Sequence, residues 1–268
     1  MAETTILETI VAQRVQDVRR AKAACPAAGL EAKLREAPPA IDFASRLLAS
    51  APMALLAEVK RASPSKGDIA PGIDAAKQAF AYAQGGAAAI SVLTEPTWFK
   101  GNLNDLLAVR RIVEDLGPVR PAVLRKDFVI DDYQLLEARA YGADAVLLIV
   151  ACLSQAALVV LLHQSRALGM EPLVEVNNAE EMERAAQAGA TVIGVNNRDL
   201  RNFSVDLGTT DRLAGAVPKG AILAALSGIS TRADVERFEQ AGATAVLVGE
   251  ALMTGPDPAA KVRELLGK

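Results

Sequence analysis

The chain is poor in the residues on which much enzyme chemistry depends. It has one histidine, His163, and two cysteines, Cys25 and Cys152, in 268 residues. His163 falls inside an apolar helical stretch, LVVLLHQSRALG, where packing is its expected role, so a histidine-dependent triad and a multi-histidine metal site are excluded. The cysteines lie far apart with no CxxC spacing. That argues against a disulfide framework or a zinc site and points to a reducing compartment. There is no block of basic residues, and the net charge is −3, so nothing suggests a nucleic-acid partner. No apolar run approaches the roughly 20 residues that a membrane span requires. The leading stretch AETTILETIVAQRVQDVRR mixes acids with its apolar residues and lacks a cleavage site, so it reads as an amphipathic helix and not as a signal peptide. A soluble, cytoplasmic protein without a membrane partner is expected.

What the chain does have is apolar material, 51% of its residues, arranged in eight short runs. They occupy 55–60, 88–94, 121–125, 144–150, 172–176, 191–196, 221–226 and 244–248. Helical patterns alternate with them at 75–84, 103–116, 133–141, 154–168, 179–188, 207–216, 232–241 and 258–266. Eight strands, each followed by a helix, in a chain of this length predict an α/β fold of the (β/α)8 barrel type. An open doubly wound sheet is the alternative, and no GxGxxG follows any strand to favour it. Four echoes of one pattern, beginning at Gly86, Gly142, Gly189 and Gly242, each close a helix and open a strand. Their glycines suit a left-handed helix cap, and they fall on the face where strands begin.

Residues 1–50 precede the first strand and are too few for a core of their own. A helix is predicted over 5–24 with Ile6, Ile10, Val11, Val15 and Val18 on its buried face, then prolines 26, 38 and 39 break the chain before a short helix at 43–48. We expect one domain over 1–268, with 1–50 a helical extension packed on the barrel.

Parallel strands in a barrel deliver all their C-terminal ends to one face. Most of these runs end in groups that move protons or bind anions: Glu58 and Lys60, Lys126, Glu175, Asn196 with Arg198, Ser227-Gly228, and Gly249-Glu250. A single lysine after a single strand would only solvate a loop, and one glycine turn means little. Charges from several strands aimed into one pocket are costly to bury for stability alone, and glycines after the last two strands fall where barrels often bind phosphate. Lys60 and Lys126 beside Glu58 and Glu175 supply proton donors and acceptors near neutral pH. Trp98, Phe99, Phe128 and Leu200 are candidates for an apolar wall.

The motifs AEVKRASPSKG (57–67), SVLTEPTWFKG (91–101), LRKDFVIDDYQLLEARAYGADAVLLI (124–149), LVEV (173–176), IGVNNRDLRNFSVDL (193–207) and LVGEALM (247–253) resemble the indole-3-glycerol phosphate synthase family over essentially the whole chain. The resemblance implies a carboxy-lyase of tryptophan biosynthesis that needs neither metal nor organic cofactor. It would convert 1-(2-carboxyphenylamino)-1-deoxyribulose 5-phosphate to indole-3-glycerol phosphate with loss of CO2 and water. It further implies that Lys126 is the principal general acid and that Glu175 and Glu58 assist proton removal and dehydration. Lys60 would contact anionic groups or donate a proton, and Asn196 and Arg198 would make polar contacts. Ser63, Phe99 and Phe128 would line the pocket, and Ser227, Gly228, Gly249 and Glu250 would form the phosphate loops. A monomer is expected, with a weak homo-oligomer as the alternative.

Two positions depart from that pattern. Where the family reads ESGI after the seventh strand, this chain reads Leu226-Ser227-Gly228-Ile229, so an expected glutamate is missing. Lys100 replaces what is often an uncharged amide. Two other readings follow: a phosphosugar-binding barrel whose catalysis is impaired or retuned, and a related phosphoribosyl isomerase.

Overall fold

The structure is a computed structural model that describes residues 4–268. The first three residues of the expected extension lie outside the described residues. The barrel strands are β1 (Ala54–Val59), β2 (Ala89–Leu93), β3 (Ala122–Lys126), β4 (Ala145–Ile149), β5 (Leu173–Val176), β6 (Val192–Asn196), β7 (Ile222–Leu226) and β8 (Ala245–Val248). All neighbours run parallel, and β8 closes the sheet against β1. The predicted (β/α)8 barrel is therefore the observed fold, with strand boundaries within about two residues of those read from the sequence. Gly86, Gly142, Gly189 and Gly242 all take positive φ, as their place between helix and strand requires.

Strand periodicity divides the core into two layers. Leu55, Ala57 and Val59 of β1 face the surrounding helices, as do Val123, Val174, Ile193, Ala225 and Val246. Ala54, Leu56, Leu124, Leu147, Leu173, Ala224 and Leu247 face the lumen. Continuing the lumen set toward the strand ends brings Glu58, Lys126, Glu175, Asn196 and Leu226 inward. An alternation that fills the barrel with leucine and alanine at the bottom thus switches to polar groups at the top, with Leu226 the apolar exception in this set.

The extension engages both ends. Helix α1 (Ile6–Ala24) begins at Thr5, whose hydroxyl accepts from the Glu8 N–H while the Glu8 carboxylate accepts from the Thr5 N–H. Its buried face is Leu7, Ile10, Arg14 and Val18. Val15, expected inside, is 40% exposed. Arg14 takes an inner position because its guanidinium pairs with Asp127 at 3.1 Å just past β3, at the top rim. Helix α3 (Phe43–Leu48) joins the lumen cluster through Phe43 and Leu47. It closes the bottom, where the Ile41 N–H donates to Asp144 just before β4.

Helix α2 (Ala27–Glu36) occupies a segment where the prolines imply a break. Pro26 stands at its N-cap, where a missing N–H costs nothing. A two-residue hairpin, Ala62–Ser63 with Gly67–Asp68, and a four-residue helix, Glu250–Met253, also lie outside the elements expected from the sequence. No described helix is long and apolar enough to cross a membrane.

Candidate active site

A cavity of about 530 Å³ opens at the C-terminal ends of the strands, a size suited to a small metabolite. Its floor and charged wall come from Glu58, Lys60, Lys126, Glu175, Asn196 and Arg198. Ser63, Phe99 and Phe128 border it on one side, and Ser227, Gly228, Gly249 and Glu250 on another. Every position that the sequence singles out for catalysis or substrate binding is thus brought to one space. Leu200 also borders it, whereas Trp98 packs against the lumen cluster instead of lining the cavity.

Two carboxylates anchor the floor in opposite electrostatic settings. Glu58 is buried between two cations, with Lys60 Nζ 2.6 Å from Oε1 and Lys126 Nζ 3.6 Å from Oε2. Burial alone would raise its pKa, but the charges of Lys60 and Lys126 outweigh burial and hold the carboxyl below the ordinary glutamate value. Glu175 is equally buried but better isolated. Burial raises its pKa, and Lys126 together with a 2.8 Å hydrogen bond from Asn196 Nδ2 offsets only part of that rise. Glu181 and Glu58 push it in the same upward direction as burial. One cavity therefore holds an ionised carboxylate and a carboxyl that keeps its proton more readily, an arrangement that separates acid and base roles.

The glycine loops are built for close approach. A Cβ on Gly249 would overlap Glu58 Oε1 and stand 3.2 Å from Lys60 Nζ. Ser227 and Gly228 follow β7 with φ of 66° and 81°, two successive left-handed residues that turn the backbone across the cavity wall. The Glu250 carboxylate points outward and meets Lys66 Nζ at 3.3 Å. Only its backbone N–H is therefore suited to an anion. Arg198 is partly engaged in structure, its Nη1 donating to the Phe203 carbonyl at 3.1 Å.

Leu226 faces the lumen, is 1% exposed and borders the cavity. It lies beside Asn196 in the sheet register, and its Cδ1 covers Gly194, where an added Cβ would come within 2.6 Å. The position where the resemblance implies a glutamate is therefore an inward, apolar one.

Lys261 carries no signal in the sequence, yet it reaches the cavity from the helix Pro258–Leu266. A lysine on a helix after the last strand looks like any solvated residue. Among the described residues, no group of three or more His, Cys, Asp or Glu side chains is placed to hold a metal ion.

The 3-hexulose-6-phosphate synthase of Salmonella typhimurium superposes with a TM-score of 0.63 at 18% identity, covering 80% of this chain and 96% of that one, which speaks to the fold alone. Sequence relatives are far nearer. A multifunctional tryptophan biosynthesis protein of Schizosaccharomyces pombe is 58% identical over 98% of this chain. The chain spans 35% of that relative's length. The indole-3-glycerol phosphate synthase of a Roseiflexus species is 50% identical, with 98% of each chain covered. Residues 7–265, from the first buried leucine of α1 to the last buried leucine of the closing helix, match the indole-3-glycerol phosphate synthase family, and the chain belongs to it.

Proposed function

We propose that this chain converts 1-(2-carboxyphenylamino)-1-deoxyribulose 5-phosphate to indole-3-glycerol phosphate, CO2 and water, acting in the cytoplasm as a monomeric barrel unit of residues 1–268. The observation that carries this reading is the split between Glu58 and Glu175 around Lys126 in a single cavity. The phosphate lies against the backbone of Ser227-Gly228 and Gly249-Glu250, with Lys60 close by, and the aromatic ring lies against Phe99 and Phe128. Lys126 gives its proton to the ketone oxygen as the ring carbon bearing the carboxylate bonds to the ketone carbon. The C–COO− bond then breaks, its electron pair restores aromaticity, and CO2 leaves. The new hydroxyl departs as water after taking a proton from an acid, for which Glu175 is suited by its raised pKa. Removal of the last proton falls to an ionised carboxylate. Glu58, held ionised, also pairs with both lysines. These are proton transfers and bond cleavages that call on no metal or organic cofactor.

The test is direct. Purified protein mixed with the carboxyphenylamino substrate should develop indole fluorescence together with stoichiometric CO2. Saturable binding with neither product would overturn the reading in favour of a binding barrel, although neither that alternative nor an isomerase finds support among the relatives.

Leu226 supplies a further expectation. With leucine at this position, Glu58 is the carboxylate that pairs with both Lys60 and Lys126 among the described residues. Leu226→Glu should alter the pH–rate profile, because it places an additional ionisable carboxyl beside Asn196 on the cavity floor. It should also lower thermal stability, because it buries a charge. A pH–rate series on both proteins checks this, and an unchanged profile would contradict it.

A further inference from the structure

We propose that Glu95 is a positioning residue for the aromatic wall of the cavity, a role that rests on the functional reading above. Glu95 follows β2 and is fully buried. Among the described residues it forms no ion pair; its carboxylate is engaged by backbone amides instead. Oε1 accepts from the Thr97 N–H at 2.8 Å, and Oε2 accepts from the Trp98 and Phe99 N–H groups at 2.7 and 2.9 Å. Its own carbonyl accepts from the Gly101 N–H at 2.9 Å. One side chain therefore takes three consecutive amides, and the backbone of the same residue closes the loop through a fourth.

The loop it closes has no regular structure to hold it. Residues 94–102 contain no helix or strand, and Pro96 has no N–H to offer. At its far end Lys100 takes a φ of 54°, and a Cβ on Gly101 would collide with the Leu93 carbonyl. The side chain delivered by this loop is Phe99, which borders the cavity and meets the Phe128 ring at 6.1 Å between centroids and 43° between planes. Phe128 stands two residues after Lys126. The ring of the substrate is thus gripped by one phenylalanine on the loop of the general acid and another whose backbone is fixed by Glu95.

A carboxylate is required by the donor count. It offers two acceptor oxygens and no donor, whereas glutamine offers one acceptor and would turn an NH2 toward a backbone N–H. Glu95→Gln, nearly identical in size, should loosen residues 97–99 without opening a hole. A loose aromatic contact costs roughly tenfold in binding.

The experiment measures KM and kcat of wild type, Glu95→Gln, Phe99→Ala and the double variant, with the inhibition constant of inorganic phosphate for each. Glu95→Gln should raise KM about tenfold, with a smaller fall in kcat, and leave phosphate inhibition unmoved. In the Phe99→Ala background its effect should largely vanish, because there is no ring left to position. A loss carried by kcat alone, a parallel weakening of phosphate, or full additivity with Phe99→Ala would overturn the proposal. If Glu95→Gln does not fold, Glu95→Asp keeps both acceptors on a shorter arm and should show the same pattern. If wild type turns nothing over, the functional reading fails. The wall is then tested by fluorescence titration with 2-aminobenzoate, whose affinity should fall in Glu95→Gln, and unchanged affinity would overturn the proposal.

Discussion

Lys126→Met is expected to lower turnover by about 10²–10⁴-fold, the range for removing a positioned general acid, while the barrel stays folded. Methionine keeps most of the stem that packs on the cavity wall and removes only the donor. Glu58 loses one of its two cations but keeps Lys60 at 2.6 Å, so the buried carboxylate is not left unpaired. Phosphate binding should persist, since the loops at Ser227-Gly228 and Gly249-Glu250 are elsewhere on the rim. Steady-state rates with thermal melting check both halves. A variant that keeps more than a tenth of wild-type turnover would mean that the ketone oxygen takes its proton from another group, with Lys60 the first to examine.

Glu175→Gln should separate activity from stability. Turnover should fall by about 10²-fold or more, because glutamine can neither give nor take the proton. Stability should rise at neutral pH. The sign follows from linkage: burial raises the Glu175 pKa, so the folded protein holds a proton that the unfolded chain has already lost, and wild-type stability falls as pH rises through that window. Glutamine has no such loss. Its oxygen can still accept from Asn196 Nδ2, so no buried donor is orphaned. The melting-temperature advantage of the variant should therefore grow as pH rises above the ordinary glutamate value of about 4.3 and vanish below it. An inactive variant that is less stable at every pH would place Glu175 among structural ion pairs and not among strained functional groups.

Much of this site is legible in the amino-acid sequence because two regularities combine. Parallel strands in a barrel send every C-terminus to one face, and a period of two fixes which residues point inward. Glu58, Lys60, Lys126, Glu175 and Asn196 can be placed from those two rules, and Leu226 as well. What the chain does not disclose is what depends on partners distant in sequence. Glu58 and Glu175 look alike in the chain, each a glutamate on an apolar strand. They differ because two lysines converge on one while the other receives a neutral amide. Arg14 has no sequence signal because its partner, Asp127, lies 113 residues away. Pro26 reads as a break although it begins a helix, since the same missing N–H suits both roles. Glu95 does not stand out within its motif, because the hydrogen bonds that give it a role are made to backbone N–H groups, which a sequence does not mark.

The most direct measurement is a carboxyl 13C NMR titration of glutamate-labelled protein, with Glu58 and Glu175 assigned from their glutamine variants. Glu58 is expected to titrate below the ordinary glutamate value and Glu175 above it. If the two titrate together, or in the reverse order, the division of acid and base roles between these carboxylates is contradicted.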